Sequence, residues 1–167
     1  MKDITLIAAI GKNRELGKNN DLIWHLPEDL KFFKEQTINK PIVLGKNTLD
    51  SLPKLLPNRL HLLLTHQDIK EQEQLKVFHT KEDLLDYIKK LDKEIMIIGG
   101  GKIYKEFLPY ATKMILTEID KETKADIYFP EFNKDEWIRK ELCHHEHNQI
   151  KYTHVEYKRK KMVWTIF

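Results

Sequence analysis

The chain predicts an α/β fold: one domain, a mostly parallel central sheet of about eight strands with an antiparallel C-terminal edge, and about four flanking helices. Three observations carry that expectation. Short apolar runs alternate with amphipathic stretches along the 167 residues, the pattern of strand–helix–strand units. The last two apolar runs follow each other with no helix between them, which suits an antiparallel hairpin. Neither an internal repeat nor a linker divides the chain, and its length suits one ordinary domain. Hydrophobic residues at 41% and charged residues at 33% allow a real core under a charged surface, which excludes collagen-like and disordered classes.

The elements follow in order. ITLIAAI (4–10) is too short for a membrane span, carries Thr5 and is preceded by Lys2 and Asp3, so it reads as a buried strand. A helix is predicted over 27–36, with Pro27 in its first turn and Glu28 and Asp29 beside it, where the helix dipole favours carboxylates. Strand 41–45 leads into helix 47–52, and strands 60–65 and 75–79 come next. Thr80 stands as the cap of a helix over 81–91. Strand 94–99, helix 102–108 and strand 113–119 complete the alternating part. Strands 136–142 and 152–158 form the hairpin.

Charge narrows the function. Lys plus Arg is 29 against 26 for Asp plus Glu, a net +3 that is too weak to demand nucleic acid. Lys151, Lys158, Arg159, Lys160 and Lys161 crowd the end and read as a solvated strand end. A single cysteine, Cys143, excludes an intramolecular disulfide and fits a reducing, cytoplasmic interior. Cys143, His145 and His147 would share one face of an extended segment, but no second cluster completes a zinc site, so a solvated edge is expected and no metal. The domain is expected to span 1–161. The apolar tail MVWTIF (162–167) could pack on it, mediate association or be an extraneous end.

Glycine points to chemistry. The chain has six, and three form the run Gly99, Gly100, Gly101 between a buried strand and a helix. Such a corner either holds a phosphate on the free N–H groups of a helix start or is only a tight turn. The Rossmann spacing fails, because Tyr104 occupies its third glycine position. A P-loop reading of Gly45-Lys46-Asn47-Thr48 fails at Lys40 and Asn47. With Thr65, His66 and Gln67 after a third strand, three strand ends suggest one extended, phosphate-bearing ligand. Asp29 shares a helix face with Phe32, Phe33 and Gln36, overlapping the apolar stripe Leu26, Leu30, Phe33, Thr37. It is either an acid whose proton affinity is raised by an apolar wall or a first-turn acid facing the dipole.

These residues, in this order, resemble dihydrofolate reductase of the bacterial type from Ile4 to about Tyr157. The segments LIAAI (6–10), WHLPEDLKFFKEQT (24–37), KPIVLGKNT (40–48), LPNR (56–59), IGGGKIY (98–104), LPYA (108–111), LTEID (116–120) and FP (129–130) carry the likeness. It implies NADPH-dependent reduction of dihydrofolate to tetrahydrofolate for one-carbon metabolism. A hydride would go to C6 and a proton to N5. Dihydrofolate and antifolate inhibitors would be the partners of a monomer needing neither nucleic acid nor membrane.

By the same resemblance, Asp29 is the acid that accepts from the pterin N–H and 2-amino groups. Thr117 supports it, Trp24 helps hold an ordered water, and Leu22 and Tyr104 complete the catalytic set. Ile7, Ala8, Leu30, Phe33, Leu52, Leu56 and Ile98 line the substrate, and Arg59 pairs with its α-carboxylate. Ala9, Gly17 and Leu22 belong to the cofactor side, with residues 11–23 as a closing loop. So do Gly45, Lys46, Thr48, Thr65, His66 and Gln67, and then Ile98, Gly99, Gly100, Gly101, Lys102, Ile103 and Tyr104. The Gly99–Gly100 peptide is cis in this family. Lys46 and Lys102 stand where many relatives have Arg, keeping the charge but losing the guanidinium fork. Ala125 and Ile127 replace a frequent Gly and Thr in the loop supporting the closing loop. A related pterin or pyrimidine reductase and a nucleotide- or nucleic-acid-binding module without catalysis are the rival readings.

Overall fold

The computed structural model describes residues 2–18 and 21–160, without the side chains of Asp21 and Leu22. Asn19, Asn20, Lys161 and the tail 162–167 lie outside the described residues. In chain order the elements are β1 (Ile4–Ile10), β2 (Glu15–Lys18), β3 (Asp21–Leu22), α1 (Pro27–Thr37), β4 (Ile42–Gly45), α2 (Lys46–Ser51), β5 (His61–Leu64) and β6 (Leu75–Phe78). Then come α3 (Lys81–Lys89), β7 (Ile95–Gly99), α4 (Gly101–Phe107), β8 (Lys113–Ile119), β9 (Ile127–Tyr128), β10 (Trp137–His147) and β11 (Ile150–Arg159).

Eight strands form the main sheet in the order β10-β11-β8-β1-β7-β4-β5-β6. The strands from β8 through β6 run parallel, while β11 and β10 add an antiparallel edge. β1 is central and nearly all apolar because both its faces are covered; Ile4 and Leu6 are fully buried. Helix starts behave as their sequences require. Pro27 fills the first position of α1, and the Thr80 hydroxyl accepts from the Asp83 N–H at 3.1 Å to cap α3.

Two departures matter. The expected strand 136–142 runs on to His147, so β10 and β11 form a longer hairpin with an irregularity between Glu141 and Cys143. Extended pairing there keeps Cys143 exposed, and among the described residues no three His, Cys, Asp or Glu side chains gather to hold a metal. The closing-loop segment is not all loop. β2 pairs with β3 and β9 in a second, three-stranded sheet, with Gly17 opposite both Leu22 and Ile127.

Candidate active site

Parallel strands present their carboxyl ends together, and Thr117, Thr65 and the glycine corner lie there, while Arg59 precedes the amino end of β5. α1 meets β8, β1 and β11 at this end. On β8, Thr117 alternates with Leu116 and Glu118 and faces α1, where its hydroxyl donates to Asp29 Oδ1. Its partner across the ladder is His154 of β11, whose Nε2 lies 3.1 Å from the same oxygen. The Asp29 side chain is 19% exposed and that of His154 only 4%. Asp29 thus looks onto the site while one of its oxygens is anchored from two strands.

Behind the carboxylate the wall is apolar. Ile7, Ile42, Met96 and Ile115 form a buried cluster against which Phe32, Phe33, Leu56 and Ile98 pack. Leu52 joins a neighbouring cluster that Ile98 also touches. Trp24 and Ala9 pack instead with Leu26, Ile119 and Tyr152. Leu30 corrects the expected stripe: it is 55% exposed, because the packed arc of α1 runs from Phe32 through Phe33 to Thr37 and leaves Leu30 at its rim.

Arg59 is not a surface turn residue. It is 3% exposed, and its guanidinium donates to Thr37 Oγ1 at 3.0 Å, to the Lys34 carbonyl at 3.1 Å and to the Pro57 carbonyl. Burial pulls its pKa below the ordinary value. Among the described residues it forms no ion pair, so its charge meets only neutral oxygens. His61 holds the loop that carries it. Its Nδ1 lies between the carbonyls of Arg59 (3.0 Å) and Gln74 (3.1 Å), which makes that nitrogen the donor, and Nε2 accepts from the Leu56 N–H at 3.0 Å. Burial pushes the His61 pKa down, in keeping with a neutral ring.

The glycine corner lies beside this wall. The Gly99–Gly100 peptide is cis, and Gly99 has φ of 110°, a conformation open to glycine. A Cβ on Gly99 would strike the Tyr104 ring at about 2.9 Å, and one on Gly101 would come within 2.8 Å of Ile127. At Gly100 a Cβ would meet only Thr48 Oγ1 at 3.5 Å, so this backbone is the approachable one. The Tyr104 hydroxyl lies 2.6 Å from the Ile7 carbonyl and 2.9 Å from the Ile98 carbonyl, tying the ends of β1 and β7 together. Burial raises its pKa above the ordinary range, so it stays a donor. Gly45 packs against Ile103, Lys46 pairs with Asp50 one turn on, and the first turn of α4 carries no acid. Thr65 is half-buried just after β5, and His66, Gln67 and Lys102 are exposed. Leu22 pairs with Gly17 through its backbone; its side chain is outside the description.

Sequence reasoning passed over two of these residues. His154 could have been found by pairing β11 against Thr117, and His61 only by its burial at a strand start. A separate cavity of about 790 Å³ opens near Gly11, Glu118 and Thr153, on the sheet face opposite Thr117 and His154. Charges there are matched internally, Lys12 with Asp120 at 3.0 Å and Arg14 with Glu131 at 3.2 Å.

A sequence model of the dihydrofolate reductase family matches residues 3–159. Dihydrofolate reductase of Buchnera aphidicola from Acyrthosiphon pisum is 44% identical over 131 residues, 78% of this chain and 80% of that one. The enzyme of Haemophilus influenzae is 38% identical over 133 residues, 80% and 82% of the two chains. Among solved structures, Enterococcus faecalis dihydrofolate reductase complexed with NADP(H) and RAB-propyl superposes with a TM-score of 0.84 at 32% identity, covering 95% of this chain and 97% of that one.

Proposed function

From the premise that this chain belongs to the dihydrofolate reductase family, and so reduces 7,8-dihydrofolate to tetrahydrofolate with NADPH, we propose that Asp29 is its pterin-binding acid. One observation carries that reading: a half-buried carboxylate on the helix that carries Phe32 and Phe33, with Oδ1 held by Thr117 and His154. A pterin edge offers two adjacent N–H donors, and a fixed carboxylate accepts both in a charge-assisted fork. Its negative charge then favours protonation at N5, through water held near Trp24.

NADPH, when bound, supplies the hydride. The residues present fit it, because Gly100 leaves backbone approachable next to Thr48. Gly45, Thr48, Thr65, His66, Gln67 and the run Gly99 to Ile103 would hold the dinucleotide, with Lys46 and Lys102 offering charge to its phosphates. Ala9 would lie against the cofactor, and Gly17 and Leu22, in segment 11–23, would close over the nicotinamide. The protein's own contribution is orientation: the Tyr104 hydroxyl ties the Ile7 and Ile98 carbonyls, and the strand ends beside them face both ligands. Ile7, Ala8, Leu30, Phe33, Leu52 and Leu56 would line the pterin and benzoyl regions of the substrate, and Arg59 would pair with the α-carboxylate of its glutamate tail.

The rest of the reading is a cytoplasmic monomer of domain 1–161 that needs no nucleic acid or membrane, with a separate tail at 162–167. The exposed Ile138 and Leu142 stand on an edge strand interrupted by an irregularity and lined with charges, which disfavours edge pairing and supports a monomer. Loss of reduced-nicotinamide absorbance on adding dihydrofolate tests the chemistry. We expect Asp29→Asn to fold and lose about 10²–10⁴-fold in turnover at neutral pH. Activity near wild type would remove Asp29 from the mechanism.

A further inference from the structure

A histidine facing the acid of this site asks for a reason, because a neutral apolar side chain would fill the same space. His154 is buried on β11 with its ring stacked flat on Phe32, centroids 3.8 Å apart and planes 9° from parallel. That stack, with the ladder pairing to Thr117, aims Nε2 at Asp29 Oδ1 at 3.1 Å. An ionised carboxylate only accepts, so Nε2 carries the hydrogen between them. Oδ1 therefore has two donors, a hydroxyl from β8 and an imidazole from β11.

Acidic, aromatic and basic groups surround this ring. From α1 it faces Asp29, with Glu28 beside it near Tyr152. From β10 it faces His145, ring centroids 4.7 Å away, and Cys143, its ladder partner. On its own strand Tyr152 is 5.8 Å off by ring centroid, and Glu156 follows on the same face, paired with Lys158. Burial works against a charged imidazole, while the carboxylate in contact and the π face of Phe32 work for it. Of the two basic groups among these neighbours, His145 approaches the ring itself and Lys158 is paired with Glu156.

We propose that His154 is a positioning residue for Asp29: its Nε2–H fixes the carboxylate, and its protonated form keeps Asp29 ionised for pterin binding on the acid side of neutrality. The sign follows directly. A neighbouring cation stabilises the carboxylate, so dihydrofolate binding persists to lower pH than it would with Asp29 alone. Without that cation, Asp29 takes up its proton at higher pH and binding fails earlier on acidification.

The proposal rests on Asp29 as the pterin acid, so the test has one arm apart from that reading. In the ligand-free enzyme, imidazole NMR titration of His154, assigned by its loss in His154→Gln, is compared between wild type and Asp29→Asn. We expect His154 to lose its proton about 1 pH unit lower in Asp29→Asn; equal titration in both would overturn the pairing. In the second arm, dihydrofolate affinity is followed against pH by fluorescence. His154→Phe, which keeps a ring on Phe32, should move the acid limb up by about 1 unit. His154→Gln retains a donor without a charge, so it should move the limb equally while holding neutral-pH affinity closer to wild type, and it serves alone if His154→Phe does not fold. An unmoved acid limb in the folded variant would overturn the proposal. Full turnover by Asp29→Asn would instead overturn the reading of Asp29, leaving the NMR comparison to stand by itself.

Discussion

At Arg59 a charge is kept where water hardly reaches, and nothing anionic among the described residues answers it. Burying an arginine on three neutral acceptors lowers its pKa through desolvation, a cost that a ligand carboxylate would recover on binding. Arg59→Leu should therefore weaken dihydrofolate binding about 10²-fold while leaving NADPH affinity within about twofold, since a hydrogen bond to a charged group contributes roughly 1.5–3 kcal/mol. Equilibrium titration with each ligand checks the split; the reverse pattern would misplace the carboxylate site. This residue also marks what a sequence can and cannot disclose. Pro57-Asn58-Arg59 reads locally as a turn, and only the family likeness gave Arg59 a role. Its burial depends on the end of α1, more than twenty residues earlier, which no local pattern reports.

Among the elements, the alternating strands and helices were legible because each buries a periodic apolar face, and their predicted ends differ from the observed ones by only a few residues. β2, β3 and β9 were not legible: they have two to four residues each and owe their pairing to one another. What pins them is a buried acid, Glu15, whose side chain the sequence offers as one charge among many. It is 1% exposed, with Oε1 accepting from the Asn13 N–H at 2.7 Å and Oε2 from the Thr123 N–H at 2.8 Å. Glu15 thereby clamps the segment around β2 to the chain before β9, next to the Gly17 carbonyl that accepts from the Asp126 N–H at 3.1 Å. The same crowding requires Gly11, where a Cβ would fall 2.4 Å from Trp24 and 2.5 Å from the Glu15 carboxylate. Glu15→Ala removes the acceptor of two backbone N–H groups and, at about 0.5–1.5 kcal/mol for each hydrogen bond, should destabilise the protein by about 1–3 kcal/mol. Native-state hydrogen exchange should show Asn13 and Thr123 exchanging at least tenfold faster, with β5 unchanged. Equal acceleration at both places would mean global loosening and no local clamp.

Across the whole molecule the sheet is polarised: the carboxyl ends of its strands, where Thr117 and the Gly99–Gly100 corner sit, lie opposite an end closed by ion pairs. Glu94, just before β7, ties that closed end together. It accepts from Thr5 of β1 at 2.6 Å, from Lys40 before β4 at 2.9 Å, and pairs with Lys113 of β8 at 2.9 Å. Burial alone would raise its pKa, but the hydrogen bonds from Thr5, Lys113 and Lys40 outweigh it and hold the carboxyl at about 2. A depressed folded pKa means the unfolded chain takes up this proton first. The contribution is complete above about pH 4.5 and is lost as pH falls from there toward 2, at most ~3 kcal/mol from the size of the shift. His61 adds an earlier loss of the same sign. Its pKa is lowered by burial in the native state, so below about pH 6.5 the unfolded chain binds a proton that the folded chain resists. Denaturant unfolding measured from pH 7 to pH 3 should thus fall in two stages. Glu94→Gln should lower stability at pH 7 and flatten the lower stage, leaving the stage near pH 6 intact. His61 and Glu94 both stand at the amino ends of their strands, but His61 supports the Arg59 loop and takes up its proton first on acidification, so acid should weaken folate binding before it opens the sheet. A Glu94→Gln protein with the wild-type slope below pH 4.5 would show that the closed end derives its acid sensitivity from other carboxylates.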